Sequence, residues 1–130
     1  MKSVAIYYTY KGNNDSFIKN NDLKQIELWC RKRNYNYTFY IDDIKNGNDI
    51  ENRFSLNKLK RDIQRGYYSN IVIINLSNLS QDIAFSLEFI DFALKYNCKV
   101  VSMDGINLYS YKKFVDGLTK AISKLQKVKK

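Results

Sequence analysis

The sequence predicts an α/β fold: a mostly parallel sheet of four to five strands with helices on both faces, followed by a long C-terminal helix. Short β-branched runs alternate with helical apolar repeats, in the order βαβαβαβ. Residues 71–76 form a nearly continuous apolar run, as expected of a parallel strand that is buried on both faces. The segments between strands are long enough for crossover helices, which are right-handed in nearly all proteins.

The first half of the chain predicts a strand, a helix and a second strand. Residues 3–9 are a β-branched and aromatic run that ends in a polar loop. Asn21 or Asp22 then caps a helix with apolar residues every three to four positions. This helix ends near Asn34 in a cation-rich turn, which suits the negative end of a helix dipole. Residues 37–41 form the second strand.

The second half of the body continues the alternation. Ser55 caps a helix that Gly66 ends. The strand at residues 71–76 follows, and Ser80 caps a third helix. Residues 99–103 form the fourth strand, which completes a body predicted to span residues 1–107 of a single domain.

The last predicted element is a basic amphipathic helix over residues 108–130. Its apolar residues recur at alternating spacings of three and four, which is typical of a seam between two helices. The predicted seam consists of Leu108, Tyr111, Val115, Leu118, Ile122 and Leu125. A helix with this pattern pairs with another chain or packs on its own sheet, and the sequence leaves both interpretations open.

The net charge of +9 is concentrated near the C-terminus. Residues 112–130 hold seven lysines and one acid, a net charge of +6, whereas the first 111 residues hold 15 bases and 12 acids, a net charge of +3. This distribution favours an anionic partner at the C-terminal helix or, equally, a solvated terminus. The expected phosphate contacts are Lys112, Lys113, Lys120, Lys124 and Lys127. Residues 31–35 also combine cations with a tyrosine, which fits a nucleic-acid contact or simply a helix end.

The scarce residue types exclude several kinds of site. The chain has no histidine, which removes the usual general base, the usual zinc ligand and any Ser-His-Asp triad. Cys30 and Cys98 lack metal-ligand spacing and fall at core-facing positions, so we expect buried free thiols, although a disulfide between them stays open. We therefore expect no metal and no cofactor. Because the chain has neither a bilayer-spanning apolar run nor a signal-peptide pattern, we expect a cytoplasmic protein without membrane contact.

Three blocks of sequence resemble the N-terminal catalytic domain of the serine recombinases (resolvases and invertases). The family has Tyr-x-Arg-Val-Ser where this chain has residues 7–11. It has Asp-Asp-Gly-x-Ser-Gly and then Arg-Pro within the stretch that matches residues 42–54, and Leu-Asp/Ser-Arg-Leu-x-Arg-Asp where this chain has residues 76–82. The resemblance extends from about Val4 to the end of the chain. It implies a resolvase-like fold, a role in DNA recombination within a mobile element, and a dimerising C-terminal helix.

The departures from the family pattern fall on the catalytic positions. Thr9 replaces an arginine, and Lys11 replaces the nucleophilic serine. The family's site positions are held here by Thr9, Lys11, Asn46, Ser77, Asn78 and Gln81, and Phe54 replaces the proline of the second block. Arg53 is the clearest charged residue that is kept, with Gln25 and Asp82 as supporting matches. We expect Arg53 and Lys11 to contact phosphate.

The resemblance and its departures together predict a catalytically degenerate serine-recombinase-like protein. We expect a DNA-associated or regulatory protein, either a homodimer or the partner of an active recombinase, that contacts the DNA backbone weakly and without sequence specificity. One alternative is an active strand-exchange or nicking enzyme in which Ser16 is a displaced nucleophile. Another is a flavodoxin-like module that binds a phosphorylated small molecule or a protein through the loop at residues 11–14.

Overall fold

The structure is a computed structural model, and it describes residues 2–11, 16–44 and 53–128. Some sequence predictions fall outside the described residues: the loop positions 12–14, the loop at 45–49 with Asn46, and the side chains of Ser16 and Lys127.

The described residues form a three-layer arrangement of helices around one sheet. In chain order the elements are β1 (Lys2–Tyr10), α1 (Ser16–Lys32), β2 (Tyr35–Asp43), α2 (Phe54–Gln64), β3 (Asn70–Ile73), α3 (Leu76–Leu79), α4 (Ile83–Lys95), β4 (Lys99–Ser102) and α5 (Leu108–Val128). The strands are parallel and lie in the order β2-β1-β3-β4. The predicted fold class, with its parallel sheet and long C-terminal helix, is confirmed. Within the described part of the chain, no helix is both long and apolar enough to cross a membrane.

Strand β1 is buried on both faces because its alternating side chains enter two different cores. Val4, Ile6 and Tyr8 pack beneath α1 on one face of the sheet. Ala5 and Tyr7 point to the other face, where α2 and α4 cover them. Each fully buried apolar side chain of this size contributes about 1.5–3 kcal/mol to folding. The two cores therefore fix β1 at the centre of the sheet.

Helix α1 begins earlier than the sequence predicts. The predicted cap at Asn21 or Asp22 is wrong, because the helix already begins at Ser16. Phe17 and Ile18 in its first turn are exposed, so no buried apolar repeat marks this turn in the sequence. The Asp22 carboxylate instead accepts a hydrogen bond (2.6 Å) from a tyrosine hydroxyl of β1.

Helix α2 is capped by a residue that is distant in sequence. Ser55, the predicted cap, donates its hydroxyl to the Ile41 carbonyl (2.7 Å) instead. The Asp42 carboxylate accepts hydrogen bonds from the backbone N–H groups of Ser55 (2.8 Å) and Leu56 (3.0 Å). These N–H groups belong to the first helical turn, which has no partners within the helix. The end of β2 therefore supplies the cap of α2.

The chain between β3 and α4 differs from the prediction in two places. The strand predicted over residues 71–76 ends at Ile73, because the Asn75 side chain caps the short helix α3 through a backbone hydrogen bond of 2.8 Å. Ser80, the predicted cap of the next helix, accepts a hydrogen bond (3.0 Å) from the backbone N–H of Asp82. Asp82 is the residue that caps α4.

Both cysteines are buried free thiols, as predicted. Burial raises the pKa of Cys98 to about 11, and it also raises the pKa of Cys30. Both thiols are therefore protonated and unreactive at neutral pH.

Only the beginning of α5 packs on the body. Leu108, predicted as part of an intermolecular seam, is 2% exposed and lies in the core of its own chain, so it is unavailable to a partner. Tyr111 and Val115 are partly buried, whereas every residue over 116–126 is exposed. The remaining seam residues of this distal half thus form an open apolar stripe.

Replacing Asp42 with alanine tests the cap of α2. The substitution removes the acceptor of hydrogen bonds from the Tyr7 hydroxyl (2.7 Å) and from two backbone N–H groups. We expect the free energy of unfolding to fall by about 3 kcal/mol, because buried donors lose a charged partner. Tyr7→Phe removes one of the three bonds, and we expect a loss of about 1 kcal/mol. Urea unfolding measures both values, and equal losses in the two variants would contradict the capping role.

Candidate functional site

A cleft of about 240 Å³ opens at the carboxyl end of β1, beside α3. Clefts outside the carboxyl ends of parallel strands are the usual ligand sites of open α/β sheets. Residues that the sequence assigns to the site line this cleft: Thr9, Lys11, Ser77, Asn78 and Gln81. The fold therefore brings together two segments that lie 69 residues apart in the chain.

Asn78 and Thr9 are bonded to each other across the floor of the cleft. The Asn78 side-chain oxygen accepts a hydrogen bond from the Thr9 backbone N–H, and its side-chain N–H donates to the Thr9 carbonyl, both at 3.0 Å. The Thr9 hydroxyl donates in turn to the Asn78 carbonyl. The Asn78 amide thus pairs with β1 much as a neighbouring strand would. The polar atoms of both side chains are consequently engaged within the protein.

The described walls of the cleft carry little net charge. Among the described lining residues, Lys11 is the one cation and Asp22 the one anion. Lys11 is exposed, and Asp22 accepts the hydrogen bond from the Tyr8 hydroxyl at 2.6 Å. Asp22 and Tyr8 carry no sequence signal of a cleft position, because Asp22 reads locally as a helix cap and Tyr8 as a strand residue. Such a lining, with one cation and one anion, suits a phosphodiester poorly, because several cations are needed to stabilise the charge that develops on the phosphate during cleavage.

Arg53 lies beneath α3 and not at the surface of the cleft. Its side chain is 1% exposed, and Nη1 donates a hydrogen bond to the Leu79 carbonyl. The guanidinium carbon lies 5.2 Å from the ring centroid of Phe85. Nε and Nη2 are buried without a hydrogen-bond partner among the described residues. The phosphate contact predicted for Arg53 would require this side chain to leave its buried position.

Hydrogen bonds join β1, β2, α2 and α3 into a closed ring around the carboxyl end of the sheet, which we call the carboxyl-edge circuit. Its links are Tyr7 to Asp42, Asp42 to Leu56 at the start of α2, Arg53 to Leu79 in α3, and Asn78 back to Thr9. Burial and the Asp42 carboxylate raise the pKa of the Tyr7 hydroxyl, and the nearby Arg53 guanidinium only partly opposes this shift. The hydroxyl therefore stays protonated as a donor at neutral pH.

The family model described as "Resolvase, N terminal domain" matches residues 11–129. The chain belongs to the resolvase family. No curated protein sequence matches it.

Solved structures of serine recombinases are similar to this resolvase domain. The N-terminal catalytic domain of TP901-1 integrase has a TM-score of 0.78 and 17% identity, covering 95% of this chain and 98% of that chain. A resolvase family site-specific recombinase from Streptococcus pneumoniae has a TM-score of 0.73 and 17% identity, covering 99% and 95%. The C-terminal catalytic domain of ISC1926 TnpA, an IS607-like serine recombinase, has a TM-score of 0.69 and 11% identity, covering 95% and 84%. At these identities the likeness shows the shared fold.

Ser77 is the exposed serine of this resolvase cleft among the described residues. The Thr9 hydroxyl is used in the bond to Asn78, and the buried Ser80 hydroxyl accepts the Asp82 N–H. Ser16 is the alternative nucleophile predicted from the sequence, and the side chain of Ser16 lies outside the described residues. Among the serines and threonines in the described part of the cleft, Ser77 is thus the one whose hydroxyl an incoming ligand would meet.

Lys112 anchors α5 to the body of the resolvase domain. Its ammonium group lies 2.8 Å from a carboxylate oxygen of Asp116 and 3.3 Å from one of Asp91 in α4. Hydrogen bonds to Asp116 and Asp91 raise the pKa of Lys112. Because these carboxylates balance its charge, the geometry disfavours the phosphate contact predicted for Lys112. Lys113, Lys120 and Lys124 are exposed on the same helix.

Asn78→Ala tests whether the Asn78 amide stabilises the folded protein or is free to bind a ligand. We expect the free energy of unfolding to fall by about 2 kcal/mol, because two backbone groups of Thr9 lose their partner. Gln81→Ala, at an exposed position of the same cleft, should change stability by less than about 0.5 kcal/mol. Chemical denaturation compares the two variants. An unchanged stability of Asn78→Ala would refute a structural role for the amide.

Proposed function

We propose that this resolvase domain is a catalytically degenerate, dimerising protein that contacts the DNA backbone without cutting it. The observation that carries the proposal is the pairing of Asn78 with Thr9. Both residues stand where the family has arginines, and their polar groups bond to each other. In an active site of this kind those positions would present cations to the phosphate.

The chemistry of strand cleavage explains why this pairing matters. Attack on a phosphodiester needs a hydroxyl nucleophile and cations around the phosphate, where charge develops in the transition state. Loss of one such donor costs about 100- to 1,000-fold in rate. Here the nucleophile position holds Lys11, and Thr9, Asn78 and Gln81 are neutral. An amine at position 11 offers a point charge to phosphate but no hydroxyl for reversible strand exchange.

The exposed stripe on distal α5 supports association with another chain. Its large apolar side chains are about half exposed or more, at Leu118 48%, Ile122 54% and Leu125 62%, and Phe114, one turn before the stripe, is 63% exposed. A contiguous apolar face of this kind is typical of a protein interface. The partner that fits is a second copy of this chain or the equivalent helix of an active recombinase. Lys113, Lys120 and Lys124 on the same helix would contact phosphates, so binding would be salt-dependent and blind to sequence.

Ser77 supports one competing function, an active nicking enzyme with a displaced nucleophile. A DNA-cleavage assay that traps covalent protein–DNA adducts on a nicked duplex separates the two functions. We expect no adduct, because the described lining of the cleft holds a single cation, and several are needed to stabilise the transition state. An adduct that disappears in Ser77→Ala or in Ser16→Ala would overturn the degenerate assignment and identify the nucleophile.

The dimer is tested by placing charge in the apolar stripe. The double variant Leu118→Asp and Ile122→Asp should sediment as a monomer at concentrations where the unmodified protein is a dimer, because burying two carboxylates is costly. Ser123→Asp, exposed on the same helix outside the seam, is the matched control and should remain dimeric. An unmodified protein that is monomeric at high concentration would contradict self-association.

A further inference from the structure

The edge of the sheet opposite the cleft is lined with cations. Parallel strands begin at this edge, and the helices that connect them end there. Eight exposed cations lie at these strand starts and helix ends, and we call them the amino-edge cluster: Lys2, Arg31, Lys32, Arg33, Arg61, Arg65, Lys95 and Lys99. They come from β1, β4 and the ends of three helices, so the fold and not the sequence brings them together.

Few acids balance the amino-edge cluster. Among described residues, two carboxylates lie within 4 Å of a cluster cation: Glu27 beside Arg31 and Asp62 beside Arg65, each at 3.7 Å. Asp62 is buried and also accepts the Tyr40 hydroxyl at 2.6 Å. Five of the nine acids described in the body lie toward the opposite edge: Asp22, Asp42, Asp43, Asp82 and Asp104. The modest charge of the body therefore hides a separation into a basic edge and a more acidic one.

The cations at the sheet edge lie close enough together to contact a single partner. Adjacent strands lie about 4.8 Å apart, and packed helices and sheets lie about 10 Å apart. Lys2 begins β1 beside Tyr35 of β2, and Lys99 begins β4 beside Asn70 of β3. The cations along the sheet edge thus fall within about 15 Å, so one anionic partner can contact several of them at once.

Aromatic rings lie next to three of the cluster's cations without cancelling their charge, and one of these is Lys95, whose ammonium group lies 5.8 Å from the ring centroid of Tyr96. The Arg33 guanidinium carbon lies 3.7 Å from the ring centroid of Trp29, and Nη1 donates to the Trp29 carbonyl at 3.1 Å. The Lys2 ammonium group lies 5.9 Å from the ring centroid of Tyr35. A cation on a ring keeps its full charge for an outside partner, whereas a cation paired with a carboxylate does not.

The helix dipole accounts for only part of the cluster. Cations in the last turns of α1, α2 and α4 stabilise the negative helix ends. Lys2 and Lys99 begin strands, which carry almost no net dipole. Helix dipoles therefore do not account for these two lysines, whereas an anionic partner at this edge would be stabilised by them.

We propose that the amino-edge cluster is a second nucleic-acid surface, which binds the phosphate backbone of duplex DNA on the side of the domain opposite the cleft. The proposal deepens the proposed function and rests on it, because it assumes that the protein associates with DNA. The rings of Trp29 and Tyr35 are partly buried and covered by cations, so they are not free to stack on unpaired bases. The surface therefore recognises backbone charge and not base sequence.

Fluorescence anisotropy with a labelled duplex of about 20 base pairs, at salt concentrations from about 50 mM to 200 mM, tests the surface. The amino-edge variant is Lys32→Gln, Lys95→Gln and Lys99→Gln. The matched control, Lys19→Gln, Lys24→Gln and Lys58→Gln, removes the same charge from elsewhere on the body. A third variant, Lys113→Gln, Lys120→Gln and Lys124→Gln, removes the exposed α5 cations. Circular dichroism verifies that each variant is folded.

We expect the slope of log K against log salt concentration to become shallower by about 2.7 in the amino-edge variant, since each lost phosphate contact removes about 0.9. The matched control should keep the slope of the unmodified protein. If the amino-edge variant behaves like the control while the α5 variant loses its slope, the second surface is refuted and the proposed function stands. If the unmodified protein does not bind the duplex, the proposed function fails as well. Polyglutamate that competes as well per charge as the duplex would overturn the assignment to nucleic acid.

Discussion

The Asp42 carboxylate holds the carboxyl end of this fold together. It is buried, and it accepts hydrogen bonds from Tyr7 in the central strand and from the first turn of α2. Because it fixes where α2 begins, it also fixes Arg53 one residue before that helix. Arg53 then reaches the carbonyl of Leu79 in α3, the short helix that presents the cleft residues. The geometry of the candidate site therefore depends on an acid at the end of β2.

The same circuit shows which polar groups beside the cleft are bonded within the protein. Buried polar groups must be satisfied, and an open catalytic site leaves some of them to be satisfied by substrate. In this chain the Asn78 side chain forms hydrogen bonds with the backbone N–H and carbonyl of Thr9 at the end of β1, and Arg53 donates a hydrogen bond to the Leu79 carbonyl. These contacts engage the Asn78 amide and Nη1 of Arg53 within the protein, whereas Nε and Nη2 of Arg53 are buried without a hydrogen-bond partner among the described residues. Under the proposed function, Asn78 therefore contributes to the fold of the cleft and not to binding of a phosphate.

Hydrophobic periodicity was sufficient to predict the α/β class, the four parallel strands and the long C-terminal helix. Local capping patterns were not, because Ser55 is a plausible cap by sequence but the distant Asp42 provides a stronger, charged acceptor. Five of the positions that motif spacing assigned to the site line one cleft, yet only the fold reveals that Asn78 bonds to Thr9. The sequence indicated one part of the basic edge, the cations at residues 31–33, but the other five cations are scattered from Lys2 to Lys99, and only the fold places them at the same edge.

The exposed distal half of α5 has a thermodynamic consequence for any partner. Residues 116–126 extend a helix whose first turns pack on the body, but they make no buried contacts of their own, and most helical stability in proteins comes from such packing. Gly117 weakens it further, by about 1 kcal/mol relative to alanine in a helix interior. Contacts along the apolar stripe would therefore both join two chains and order the helix, which is coupled folding and binding. Part of the contact energy would be spent on ordering, so the proposed assembly at this helix would be weaker and more readily reversed than its apolar area suggests.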